Sequence, residues 1–105
     1  MDAPAQRRRR RVKMSRPVRI RPSDATHGHF EEVRSTVSAS PDGLYFTTWL
    51  EAYYKGMRLF LAFPYSPTAD QDCPEFLGEV VWIDSLGGRR RGIGVRFLMP
   101  ISAVS

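Results

Sequence analysis

The chain has 105 residues, room for one domain and not for a second. Hydrophobic residues make up 42%, enough for a packed core, and eight Gly with eight Pro imply many turns. No apolar run approaches the ~20 residues of a membrane helix. The polar start Met1-Asp2-Ala3-Pro4-Ala5-Gln6 lacks the apolar stretch of a secretory leader, so a cytoplasmic protein is expected.

The net charge of +5 conceals an asymmetry. Residues 1–21 hold nine basic side chains against the single acid Asp2, a local charge of +8. Residues 22–105 hold seven basic and ten acidic groups, a local charge of −3. So dense a cationic block repels itself and offers a site to an anion. Residues 1–16 therefore read as a flexible arginine-rich arm, and 17–105 as the folded domain. The lone Cys73 excludes an internal disulfide.

Pro17-Val18-Arg19-Ile20-Arg21-Pro22 alternates apolar and basic residues between two prolines, a half-buried strand. A loop follows over 23–30. The second strand is predicted from Glu31 to about Ser38, with Val33 and Val37 as its apolar points. Ser40-Pro41-Asp42-Gly43 is a turn, because Pro presets φ and Asp-Gly tolerates positive φ. A third strand takes Leu44 to Thr47. Thr48 and Glu51 then form a capping box, Trp49, Leu50, Tyr53 and Tyr54 fall at helical spacing, and Gly56 closes the turn, which predicts a short helix or ordered crossover over 49–55. The fourth strand, about Met57–Phe63, points Met57, Leu59, Leu61 and Phe63 one way. Residues 64–75 are an exposed loop. A fifth strand covers about Phe76–Ile83, with Trp82 expected in the core. Ser85–Arg89 is a hairpin turn, and the sixth strand, about Arg91–Leu98, alternates Ile93, Val95 and Phe97 against Gly94 and Arg96. Six short strands with regular turns make a small antiparallel barrel or sandwich, whose closure removes unpaired edges.

No nucleophile with a base beside it and no Gly-rich phosphate loop stands out, so an enzyme is not expected. His27 and His29 form an H-x-H pair joined only by Cys73 and scattered acids, which reads as a solvated loop rather than a zinc site. No cofactor or metal is expected. Two features carry binding chemistry. Arg7 and Arg11 are four apart within the run that includes Arg8, and guanidinium can both fork onto phosphate and stack on a purine. Taken alone, the run reads first as a solvated basic tail. Ser38-Ala39-Ser40-Pro41-Asp42-Gly43 sets hydroxyls beside exposed backbone N–H groups, a rim suited to a base edge or a phosphate oxygen. Taken alone, it reads first as a plain β-turn.

Together, in this order, these features resemble the PilZ family. Its pattern is R-x-x-x-R in an N-terminal loop, then D/N-x-S-x-x-G roughly thirty residues later. Arg7-x-x-x-Arg11 before Val12 matches the first part and Ser40-x-x-Gly43 the end of the second. Leu44-Tyr45-Phe46, Gly56-Met57-Arg58-Leu59, Gly78-Glu79-Val80-Val81-Trp82 and Gly92-Ile93-Gly94-Val95-Arg96-Phe97 resemble its framework, so the similarity spans about residues 7–98. It implies an all-β, six-stranded antiparallel barrel of PilZ type, with a short helical crossover and, given Pro100 and the short tail, little or no C-terminal helix. It also implies a bacterial receptor for cyclic di-GMP that binds through Arg7, Arg8, Arg11, Ser38, Ser40 and Gly43, orders its arm on the ligand and shows a new surface to a downstream protein. One departure matters: Ser38 stands where the pattern has Asp or Asn, and a shorter hydroxyl reaches less far toward a guanine edge. Two other readings remain: a PilZ-fold adaptor that has lost the nucleotide, and a barrel that lays its basic arm on nucleic acid. The acidic domain counts against the last.

Overall fold

The computed structural model describes residues 12–13, 15–24, 29–68 and 73–101. Seven strands form one antiparallel sheet: β1 (Val12–Lys13), β2 (Pro17–Pro22), β3 (Glu32–Ser40), β4 (Gly43–Thr48), β5 (Arg58–Ala62), β6 (Glu75–Ser85) and β7 (Arg91–Pro100). The order β3-β2-β5-β6-β7-β4 closes on itself through the β3–β4 pairing. The six long strands are therefore a barrel with no open edge. The two-residue β1 prolongs the line of β2 along the same side of β3, pairing Val12 with Ala39 and Lys13 with Ser38.

Alternation along each strand builds the core. Val18 and Ile20 from β2, Leu44 and Phe46 from β4, Leu59 and Leu61 from β5, Val80 from β6, and Ile93 and Val95 from β7 all point inward and are buried. Met57 is buried and Phe63 packs against the core, as the apolar face predicted for the fourth strand requires. Among the described residues no helix is long and apolar enough to cross a membrane.

The structure corrects three expectations. The crossover after β4 is ordered but extended rather than helical: residues 49–54 have no regular secondary structure and a turn follows at 55–56. Thr48 Oγ1 does accept the Leu50 N–H at 3.0 Å, as an N-cap would. The rest of the segment is pinned to β6, by Gly56 N–H to Val80 O at 2.7 Å and Val80 N–H to Met57 O at 2.9 Å. A single helical turn, costly to nucleate, does not compete with those bonds or with the burial of Tyr53, whose ring meets Phe46 and Phe30 edge-on. Secondly, Val33 and Val37 lie outside, 49% and 43% exposed, and the inward positions of β3 are Thr36 and Ala39. An irregularity between Thr36 and Ser38 shifts the phase, so that Thr36 and Ala39, three apart, both face in. Thirdly, a shift between Val80 and Trp82 turns Trp82 outward, 59% exposed, where the core was expected.

Candidate ligand-binding groove

A groove of about 520 Å³ lies on the outer wall of the barrel, across β3, β4, β7 and β6. That is within the usual range for a small-molecule site. Strand register explains which side chains meet there. One row runs Ser38–Tyr45–Gly94–Trp82 across β3, β4, β7 and β6. The next runs Ser40–Gly43–Arg96–Glu79. A third row, Thr47–Gly92–Asp84, flanks the lining. Outward residues of adjacent rows stand roughly 7 Å apart along β3, β4 and β7.

Gly43 and Gly94 line the groove. A Cβ on Gly43 would come within 2.1 Å of Val95 O, so this residue is glycine because β4 and β7 approach closely there. Its φ is not positive, unlike those of Gly56, Gly87 and Gly88, so the turn-conformation reason expected from sequence does not apply. The hairpin needs only Pro41 and Asp42 between the paired Ser40 and Gly43. Asp42 N–H donates to Ser40 Oγ at 3.2 Å, and Asp42 O accepts from Phe97 N–H at 2.8 Å.

Two aromatic side chains lie over the other glycines. A Cβ on Gly94 would stand 2.9 Å from Trp82 Cβ, and one on Gly92 would meet Tyr45 Oη at 1.7 Å. Both aromatics are tied to a single carboxylate: Tyr45 O–H donates to Asp84 Oδ2 at 2.8 Å, and Trp82 Nε1–H to Asp84 Oδ1 at 2.7 Å. The pKa of Tyr45 is pushed above 10 by partial burial, then by its hydrogen bond to Asp84, while Arg90 pulls the other way. At the rim, Arg96 pairs with Glu79 at 3.2 Å. The groove thus combines hydroxyls, an exposed indole with a fixed tilt, and a guanidinium. That set suits a flat heteroaromatic ring carrying an anion.

Of the residues singled out from sequence, Ser38, Ser40 and Gly43 come together here on one wall of the groove. Arg7, Arg8 and Arg11 lie outside the described residues, as does His27. His29 lines a different depression, with Arg21, Phe30, Glu31 and Phe60. Among the described residues no three His, Cys, Asp or Glu side chains converge on a point. Sequence reasoning missed Tyr45 and Trp82 as groove residues, and Asp84 as the carboxylate that holds them. The available signal was glycine inside a strand, at Gly92 and Gly94, which marks close approach of a neighbour.

A family model for the PilZ domain matches residues 5–105. The chain belongs to the PilZ domain family. This PilZ barrel superposes on the Bacillus subtilis inhibitor of motility, MotI/DgrA, with a TM-score of 0.61 and 16% identity, over 90% of this chain and 44% of that one. It superposes on Borreliella burgdorferi PlzA, solved in complex with c-di-GMP, with a TM-score of 0.52 and 16% identity, over 96% of this chain and 47% of that one. The PilZ chain therefore spans less than half of either protein, and at this identity it shares their fold alone. No curated protein matches it.

Proposed function

We propose that this PilZ domain is a cytosolic cyclic di-GMP receptor, with residues 1–16 as an arm that folds over the outer groove. The observation that carries the reading is the β1–β3 ladder. Val12 and Lys13, directly after the arginine run, are bonded to the strand that supplies Ser38 and Ser40, and read backwards the ladder runs toward Ser40. Arg11 is one residue from Val12, a Cα step of about 3.8 Å. The groove's fixed partners complement such an arm: Trp82 and Tyr45 offer faces to a guanine, Ser38 and Ser40 offer hydroxyls, and Arg7, Arg8 and Arg11 supply the charge for two phosphates. The self-repelling arm is neutralised by the dianion, so binding doubles as an ordering step that a downstream protein reads. Ser38, shorter than the Asp or Asn of the family pattern, leaves part of the guanine edge to water.

Calorimetry with cyclic di-GMP tests this. The wild type should bind, Arg11→Ala should weaken binding at least about tenfold by removing a charge-assisted contact, and Ser38→Asp should tighten it. Affinity should fall as salt rises. No heat from the wild type, with heat restored by Ser38→Asp, would mark an adaptor that has lost its ligand. Equal heats for wild type and Arg11→Ala would remove the arm from the site.

A further inference from the structure

A second exposed indole is not among the residues that line the groove. Trp49, just beyond β4, is 58% exposed. Two guanidiniums lie over its ring, that of Arg34 at 5.7 Å and that of Arg90 at 5.5 Å from the centroid. Arg34 is held through its side chain and Arg90 through its backbone. Arg34 Nε–H donates to Thr47 O at 3.0 Å. Thr48 beneath is fully buried, its hydroxyl 3.0 Å from both oxygens of Glu32, which also accepts from Tyr53 Oη at 2.7 Å. Arg90 is set by the β6–β7 turn, where Arg90 N–H bonds Gly87 O and Leu86 N–H bonds Arg90 O, each at 2.9 Å. That turn has three successive left-handed residues, Gly87 (φ 93°), Gly88 (φ 59°) and Arg89 (φ 72°). A left-handed conformation costs a non-glycine residue about 1–2 kcal/mol. The turn accepts that strain while carrying Arg90 back over Trp49. Neither Arg34 nor Arg90 pairs with a carboxylate among the described residues. Leu86, 44% exposed, adds apolar surface to the same turn.

We infer that Arg34, Trp49 and Arg90 form a docking station for an acidic segment of a partner protein. Trp and Arg are the side chains most enriched where binding energy concentrates at protein interfaces, and these two arginines are already oriented, which reduces the entropy lost on pairing. A nucleic-acid partner fits less well. Two guanidiniums already lie within 5.7 Å of the indole centroid and compete with a base for its ring. A polyanion would also meet the net negative charge of residues 22–105, whereas a short acidic peptide needs only the local cations. The inference does not depend on cyclic di-GMP binding at the groove.

The test uses the indole N–H resonances of the full chain, with Trp49→Phe separating the signal of Trp49 from that of Trp82. The probes are a decapeptide alternating Glu and Leu, the same peptide with Gln for Glu, and an oligothymidylate. The Glu peptide should move the Trp49 resonance saturably, the Gln peptide should not, and the double variant Arg34→Gln/Arg90→Gln should need at least about tenfold more peptide. Should the double variant fail to fold, Arg90→Gln alone should still weaken the response, since its side chain lies on an exposed turn. A Trp49 signal that ignores the Glu peptide, responds equally to the Gln peptide, survives both variants unchanged, or moves at lower oligothymidylate than Glu peptide overturns the proposal. Cyclic di-GMP should move the Trp82 signal instead, so failure at one site is read separately from failure at the other.

Discussion

Gly43 and Gly92 are both glycines that a Cβ would crowd, but against different neighbours. At Gly43 the neighbour is the Val95 carbonyl, a backbone atom that cannot move without parting β4 from β7. At Gly92 it is the far end of the Tyr45 side chain, which can swing aside by giving up its bond to Asp84. Gly43→Ala should therefore cost about 2–3 kcal/mol, as overpacking does, and Gly92→Ala only ~1 kcal/mol, the worth of one hydrogen bond. Urea melts of the two variants check the order. Tyr53 sets a pH dependence. Burial, then its hydrogen bond to Glu32, pushes the Tyr53 pKa far above 10, so the folded state holds a proton that the unfolded state releases near pH 10. The stability Tyr53 contributes is complete below about pH 10 and is lost as pH rises beyond it. Tyr53→Phe should lower stability by ~1 kcal/mol at neutral pH and flatten its decline under alkali. An unchanged alkaline slope in urea melts would contradict this.

Elements differ in how far their sequence specifies them. In β5 and in the first half of β7 the large apolar residues alternate with their neighbours, and the inward faces were legible in Leu59, Leu61, Ile93 and Val95. β3 and β6 each contain a register shift, and parity fails across it. Trp82 then faces outward and Ala39 inward, whereas hydrophobicity and simple alternation assign Trp82 to the core. A run such as Val80-Val81-Trp82 is apolar throughout, so nothing in it marks which residue is left over at the bulge. The consequence is functional, since the β6 shift delivers Trp82 to the groove. The β6–β7 turn carries strain of its own at Arg89. Arg89→Gly should relieve it and raise stability by ~0.5–1 kcal/mol, part of the gain being offset by the greater freedom of glycine in the unfolded chain. A melting temperature at or below that of the wild type would show that the turn is not strained.

At the scale of the molecule, closure of the barrel decides which apolar residues stabilise it. Leu61 is fully buried and Val37 is 43% exposed, although both lie in strands. Leu61→Ala should cost about 2–5 kcal/mol through lost burial and a residual cavity, and Val37→Ala less than ~0.5 kcal/mol. Comparable losses in denaturant melts would mean that Val37 is part of the core. Closure also gives the barrel an outside wall on which residues far apart in sequence become neighbours. Ser38 meets Tyr45 through one hairpin, but Trp82 and Asp84 join them only because β6 and β7 come round to close against β4.

The order of the strands' residues, the turn at Ser40–Gly43, the charge split between residues 1–21 and 22–105, and the resemblance to the PilZ family were all contained in the linear sequence. They depend on local periodicity, turn chemistry and composition, which need no partner strand to be read. Tertiary structure alone decided the phase of β3 and β6, the extended crossover that buries Tyr53, and the meeting of Tyr45, Trp82 and Asp84. Each of these depends on register between strands. Register is a property of pairs, set by which alignment buries the most apolar surface and leaves the fewest polar groups unpaired, and no stretch of one strand carries that information by itself.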